Sequence, residues 1–150
     1  MKLRLIILLA FLANTACHVG PRIDEFEQAR RPEGVPTTVR LHYGYLEGGE
    51  LSGELLEVTN DGLLLAIPDM RTGLMTGKQL VFVPYAAMID IDVDELGLKF
   101  LSETDSKPKR VRHQEELRLM SRFPQGLSAQ LLERLLAAEG QSTVRVIGIE

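Results

Sequence analysis

After Pro36, apolar and polar positions alternate with a period of two: Val39, Leu41, Tyr43 and Tyr45 share one face, and Thr38, Arg40, His42 and Gly44 share the other. Successive side chains of a strand point to opposite faces, so this pattern predicts a half-buried strand. Glu47-Gly48-Gly49-Glu50 reads as a turn, followed by a second strand from Leu51 to Thr59. Asn60-Asp61-Gly62, whose residues tolerate positive φ, marks a tight turn into a third strand, Leu63 to Ile67. Pro68 to Gly77 lacks alternation and is a loop. Lys78 to Tyr85 and Met88 to Val93 are the fourth and fifth strands, meeting at a corner at Ala86-Ala87. Five short strands with meander-length links predict a small barrel that closes its own edges. Its inward face is expected to include Leu55, Val58, Leu65, Ile91 and either Val81 or Phe82.

Helical periodicity takes over downstream. Gly97 to Glu103 suits one more strand, and Thr104 to Arg112 is a polar connector broken by Pro108. Leu117, Met120 and Phe123, three residues apart, predict a helix over Glu115 to Phe123, stopped by Pro124-Gln125-Gly126. Ser128 suits the N-cap of a second helix through Glu139, with Gly140 as its stop. Leu131, Leu132, Leu135 and Leu136 form an apolar stripe opposite Gln130, Glu133 and Arg134. This stripe is a candidate partner-docking face, although self-packing is favoured because so short a chain needs the area for its own core. Thr143 to Ile149 alternates again as a terminal strand. The fold class expected is α+β, mainly β with C-terminal helices: a five-stranded small barrel plus a helical pair.

The first 16 residues follow another logic. Lys2 and Arg4 precede an unbroken apolar run, Leu5 to Ala13, and Asn14-Thr15-Ala16 leads into Cys17. This is a three-part secretory leader, too short to cross a bilayer as a helix of about 20 residues. Cys17 is the only cysteine, so it has neither a disulfide partner nor a companion thiol for a metal. The arrangement resembles a bacterial lipoprotein leader, in which the cysteine after a small residue is acylated and becomes the new N terminus. Ala16 and Thr15 fit that pattern, while Asn14 departs from the apolar residue usual three places before the cysteine. His18 follows where Asp would favour inner-membrane retention, so the resemblance implies a lipid anchor in the outer membrane facing the periplasm. The organisation expected is a signal peptide at 1–16, a tether punctuated by Pro21, Pro32, Gly34 and Pro36 at 17–36, the barrel at 37–103, a basic connector at 104–113 and the helical pair with terminal strand at 114–150.

Composition narrows the function classes. Apolar residues make up 45% of the 150 but aromatics only 5%, enough for a core yet few rings on which nucleobases would stack. Net charge is −4, and removing Lys2 and Arg4 with the leader leaves 15 basic against 21 acidic residues, or −6, which disfavours a phosphate backbone as ligand. The order LSGELLEV, NDG, LLLAI, loop, LVFVPYAAMIDIDV resembles the Sm-like or SH3-like small barrels of bacterial envelope proteins. Sm-like rings hold RNA with an Asp, an Asn and an Arg-Gly pair. Counting from Gly53 and Leu55, those places are Thr59, Leu63 and Pro84-Tyr85 here, so the resemblance implies shared architecture without the RNA site.

Little catalytic chemistry is visible. His18, His42 and His113 read as surface histidines, and no G-x-S-x-G elbow or glycine-rich phosphate loop occurs. Asp90, Asp92 and Asp94 share one strand face, about 7 Å apart, and are the candidate metal ligands. An EF-hand register beginning at Asp92 places Asp94, Gly97 and Glu103 suitably, but puts Leu96 where an oxygen ligand belongs and Lys99 where an apolar residue does. A solvated strand face is the better reading. Lys107, Lys109, Arg110 and Arg112 form a basic cluster that suits a solvated linker, with anionic lipid as its alternative ligand. The expectation is a non-enzymatic, lipid-anchored envelope protein without cofactor, acting structurally or through an envelope protein partner. A calcium- or ligand-binding module on the acidic strand comes second, and a small envelope hydrolase third.

Overall fold

The computed structural model describes residues 32–45, 49–69, 77–93 and 96–148. Among these the elements run β1 (Pro36–Leu41), β2 (Glu50–Val58), β3 (Gly62–Pro68), β4 (Lys78–Pro84), a 3-10 turn (Tyr85–Ala87), β5 (Met88–Val93), β6 (Leu98–Phe100), α1 (Lys107–Met120), α2 (Ala129–Ala138) and β7 (Arg145–Val146). The protein is α+β, mainly β. Its strands form one sheet of order β6-β5-β1-β2-β3-β4-β7, antiparallel except where β7 joins β4.

The sheet cannot be flat. β4 and β5 run in the same direction and stand four positions apart, which in a flat sheet is about 19 Å at the usual spacing. Yet only the 3-10 turn Tyr85–Ala87 joins them, and such a turn rises about 2 Å per residue. Strong coiling brings the strand ends together, helped by register shifts at Arg40/Leu41 and Leu55/Glu57. One face then closes on itself: Val39, Leu55, Val58, Leu65, Val81 and Ile91 lie in a single buried cluster that also takes Phe100 from β6 and Ile147 from beyond β7. The strands pair as one open sheet, and closure into the five-stranded barrel expected from the sequence is not shown. No pairing joins the two ends among the described residues, and β6 and β7 extend the sheet outward beyond β5 and β4.

A second cluster covers the outer face of β2, β3 and β4. Leu56, Leu64, Ala66 and Leu80 meet Phe123 and Leu136, with Phe82, Leu127, Leu131, Leu132, Leu135 and Val144 packed around them. β3 is thus buried on both faces, which explains why Leu63 to Ile67 is an unbroken apolar run. The apolar stripe of α2 packs on the chain's own sheet. Leu136 is buried and the other three leucines are half-buried. Ser128 caps α2, its hydroxyl accepting from Leu131 N–H at 3.2 Å, and Gly140 ends it at φ 66°.

Several local expectations need correction. The segment 104–113 is not a connector, because α1 begins at Lys107. Pro108 falls in the first turn, where its missing N–H costs nothing, so it starts the helix rather than breaking it. The helix also ends at Met120, which splits the expected stripe: Leu117 and Met120 join the inner cluster and Phe123 the outer one. Arg122 and Phe123 instead extend along β2, their N–H groups donating to Leu55 and Leu56 carbonyls at 3.0 and 2.9 Å. β1 stops at Leu41, leaving Tyr43 fully exposed in a turn. The turn after β2 uses no positive φ. Thr59 Oγ1 accepts from Asp61 and Gly62 N–H, and Gly62 belongs to β3, where a Cβ would meet the Val83 carbonyl oxygen at 2.3 Å.

Candidate functional site

The sequence-derived candidates fare differently. Cys17, His18 and Asp94 lie outside the described residues. Asp90 and Asp92 share the outer face of β5, as alternation requires, but Asp90 is not a solvated carboxylate. Its side chain is 5% exposed and paired with Arg40 from β1, whose Nε donates to Oδ1 at 2.6 Å and whose Nη2 contacts Oδ2. Lys99 Nζ stands 3.9 Å from the same oxygen. The hydrogen bond to Asp90, then its charge, holds the Arg40 guanidinium above its ordinary pKa. A calcium ion at this strand would have to displace two cations. Among the described residues no group of three or more His, Cys, Asp or Glu is placed to hold a metal.

The histidines also separate. His42 Nε2 faces Glu103 Oε1 at 2.9 Å on the partly exposed surface, as expected for a surface residue. His113 is buried, because α1 starts early enough to carry it against β6. Its ring lies edge-on to Phe100 at 5.2 Å between centroids, and Nδ1 is 3.1 Å from Leu101 N and 3.0 Å from Asp105 Oδ2. Leu101 is the one non-glycine residue with positive φ among those described, at 52°. His113 therefore secures a strained corner between β6 and α1. Asp105 also takes Lys109, whose hydrogen bond does most to hold its carboxyl below the ordinary range.

A concavity among the described residues, which pattern reading missed, surrounds Glu54 on the outer face of β2. A hollow of about 320 Å³ is lined by Glu54, Leu56, Lys78, Leu80, Arg122 and Leu135. A second, about 490 Å³, adjoins it across Glu54 and Lys78 toward Pro36 and Ser52. Glu54 reaches here because Gly34 and Glu54 come together where the chain enters β1: Gly34 N–H donates to Oε1 at 3.0 Å, and a Cβ on Gly34 would meet the Leu55 carbonyl oxygen at 1.9 Å. Lys78 Nζ donates to Oε2 at 2.8 Å, and Arg122 Nη1 reaches Oε1 at 3.4 Å. Burial raises the carboxyl pKa, but the Lys78 and Gly34 hydrogen bonds and the two cations more than offset it, so Glu54 sits below its ordinary range. Arg122 Nε is buried and lacks a hydrogen-bond partner among the described residues.

Chemically this groove suits recognition better than catalysis. Its carboxylate is committed to ionised pairing and so is a poor general acid or base near neutral pH. Its floor is aliphatic and its rim mixes Lys78 and Arg122 with Glu54 and Glu139. The alternation Glu50, Ser52, Glu54 places these residues on the outer face, but the partners 24 and 68 residues away have no sequence signature. No family model, no curated protein and no solved structure matches this chain.

Proposed function

We propose that the chain is a non-enzymatic lipoprotein of the bacterial envelope, anchored through acylated Cys17 and acting structurally or through a protein partner. The leader carries this reading: a basic start, the apolar run Leu5 to Ala13, and a single cysteine directly after Thr15-Ala16. No described helix is long and apolar enough to cross a membrane, which fits attachment by lipid. The chain joins the folded body at Gly34, whose N–H donates to Glu54, so 16 residues lie between Cys17 and the folded body, room to clear the headgroups. We place it in the outer membrane, facing the periplasm, on the strength of His18.

A small-barrel module of the Sm-like or SH3-like kind is the finer reading of the fold. The succession β5-β1-β2-β3-β4, the two bulges and the 3-10 turn into β5 support it. The non-enzymatic reading is supported by the fate of the buried carboxylates: Glu54 and Asp90 pair with cations from other strands, and Asp105 with Lys109 at the start of α1. Cell fractionation tests the anchor. Wild-type protein should stay with membranes after a high-salt wash, whereas Cys17→Ala should be soluble or retain its leader; a processed Cys17→Ala protein still in membranes would overturn the reading.

A further inference from the structure

Helix α1 carries its positive charge in one half. Lys107, Lys109, Arg110 and Arg112 fall within its first six residues, where no acidic residue stands, although the chain as a whole is acidic. Cations at the N-terminal end of a helix oppose its dipole, so helix stability gives no reason for them. Packing gives little more: Lys107, Lys109 and Arg112 are exposed and Arg110 is half-buried. Lys109 is engaged by Asp105, and Arg112 Nε stands 3.5 Å from Glu116 in a surface pair, but no ion pair holds Lys107 or Arg110 among the described residues. Apolar side chains share this surface. His113 and Leu117 mark the buried side of α1, and about half a turn away Val111 and Leu119 are each more than half exposed. Glu115 lies between them, paired with Arg118 at 2.6 Å.

Both ends of the helix bear on how this face is presented. Val35 N–H donates to the Met120 carbonyl at 3.3 Å, so the chain enters the body at the C-terminal end of α1, about 21 Å along the helix from Lys107. The 16 residues between Cys17 and Gly34 reach at most about 55 Å, ample for α1 to lie flat on a surface that holds Cys17. At the other end His42 pairs with Glu103, four residues before Lys107, and Tyr43 beside it is fully exposed, an aromatic of the kind that settles at headgroup level.

We propose that the outward side of α1 is a membrane-contact face that lays the folded body on an anionic phospholipid surface, with Lys107, Arg110 and Arg112 at the headgroup phosphates and Val111 and Leu119 against the interface. The inference rests on the lipid anchor at Cys17 proposed above: the lipid holds the chain to the bilayer, and this face sets which side of the body meets it. Each cation brought to an anionic surface favours the docked orientation about fivefold, so Lys107 and Arg110 together give about twenty-five-fold. The acidic remainder of the surface is turned away by the same field.

The test takes protein purified from membranes, mixes it with vesicles of phosphatidylcholine alone or of phosphatidylcholine with phosphatidylglycerol, and labels lysines with a water-soluble amine reagent read by mass spectrometry. On the anionic vesicles Lys107 and Lys109 should react about tenfold more slowly than on the neutral ones, and about 0.5 M salt should abolish the difference. Lys78 and Lys99, on the outer face of the sheet, should react equally on both. Lys107→Glu with Arg112→Glu places anions where a helix favours them, so the fold is kept, and Lys109 should then react alike on the two surfaces. Protein that floats with both vesicles but labels alike leaves the anchor standing and overturns this proposal, the face then serving a protein partner. Slow labelling that survives the salt or the two substitutions overturns it as well. Flotation with anionic vesicles alone supports the face and refutes the anchor, and flotation with neither refutes both.

Discussion

Replacing Glu54 by Gln removes one charge while nearly keeping the volume, and so isolates what the carboxylate does. Its side chain is 10% exposed, against 52% for Lys78 and 29% for Arg122, which places these pairs between two known limits. Breaking a fully buried pair costs about 3–5 kcal/mol, whereas exposed pairs contribute about 0–1 kcal/mol. With water reaching both cations, about 2 kcal/mol is expected, lowering the melting temperature by about 6 °C for a domain of this size. The pH dependence has a definite sign. The folded carboxyl lies below its ordinary 4.5, so its contribution is complete above that value and fades as pH falls through the folded pKa. Melting curves at pH 7 should therefore separate wild type from Glu54→Gln, and the gap should narrow below pH 4.5. Equal curves at pH 7, or a gap that persists in acid, would show that Glu54 does not hold Gly34, Lys78 and Arg122 together.

Leu55→Ala empties a fully buried site of the inner cluster and should cost about 2–5 kcal/mol, read as a large fall in melting temperature. Leu132→Asp with Leu135→Asp places two charges under α2, and loss of the folded near-ultraviolet signal is the expected result. Burial pushes the Tyr85 hydroxyl up to about 12 while it donates to the Thr59 carbonyl at 2.9 Å. Stability should accordingly drop as pH rises past the ordinary 10, and Tyr85→Phe should flatten that alkaline decline. Calcium should leave the melting temperature unchanged, because Arg40 and Lys99 already hold Asp90; a rise would restore the acidic strand as a metal site.

Wherever side-chain order alone determines conformation, the chain could be read directly. Met88 to Val93 alternates cleanly and is β5, and Ser128 and Gly140 bound α2 through local capping chemistry. Leu55, Val58, Leu65 and Ile91 were expected on the inner face and lie there, Leu55 and Val58 sharing it through the register shift between them; of the pair left open, Val81 points inward and Phe82 joins the outer cluster. Pro108 misled because its effect depends on whether it falls in the first turn or later, which nothing upstream of Lys107 decides. Once α1 began there, His113 was carried inward, and a residue that reads as surface became a buried brace. Asp90 was placed on the correct face, but its partner Arg40 lies 50 residues away. Glu54 is hidden for the same reason. Both edge strands were expected, within Gly97 to Glu103 and Thr143 to Ile149, but β6 and β7 take up only three and two of those residues, because the length of an edge strand is set by pairing and not by pattern.

The anchor is tested most directly by mass spectrometry of the N-terminal peptide from protein extracted from membranes. The account predicts that Cys17 is the first residue and carries a thioether-linked diacylglyceryl group. Its tether should follow unmodified from His18. A peptide that retains Met1 to Ala16 with a free thiol at Cys17, or a mature chain beginning at any other residue, would contradict it.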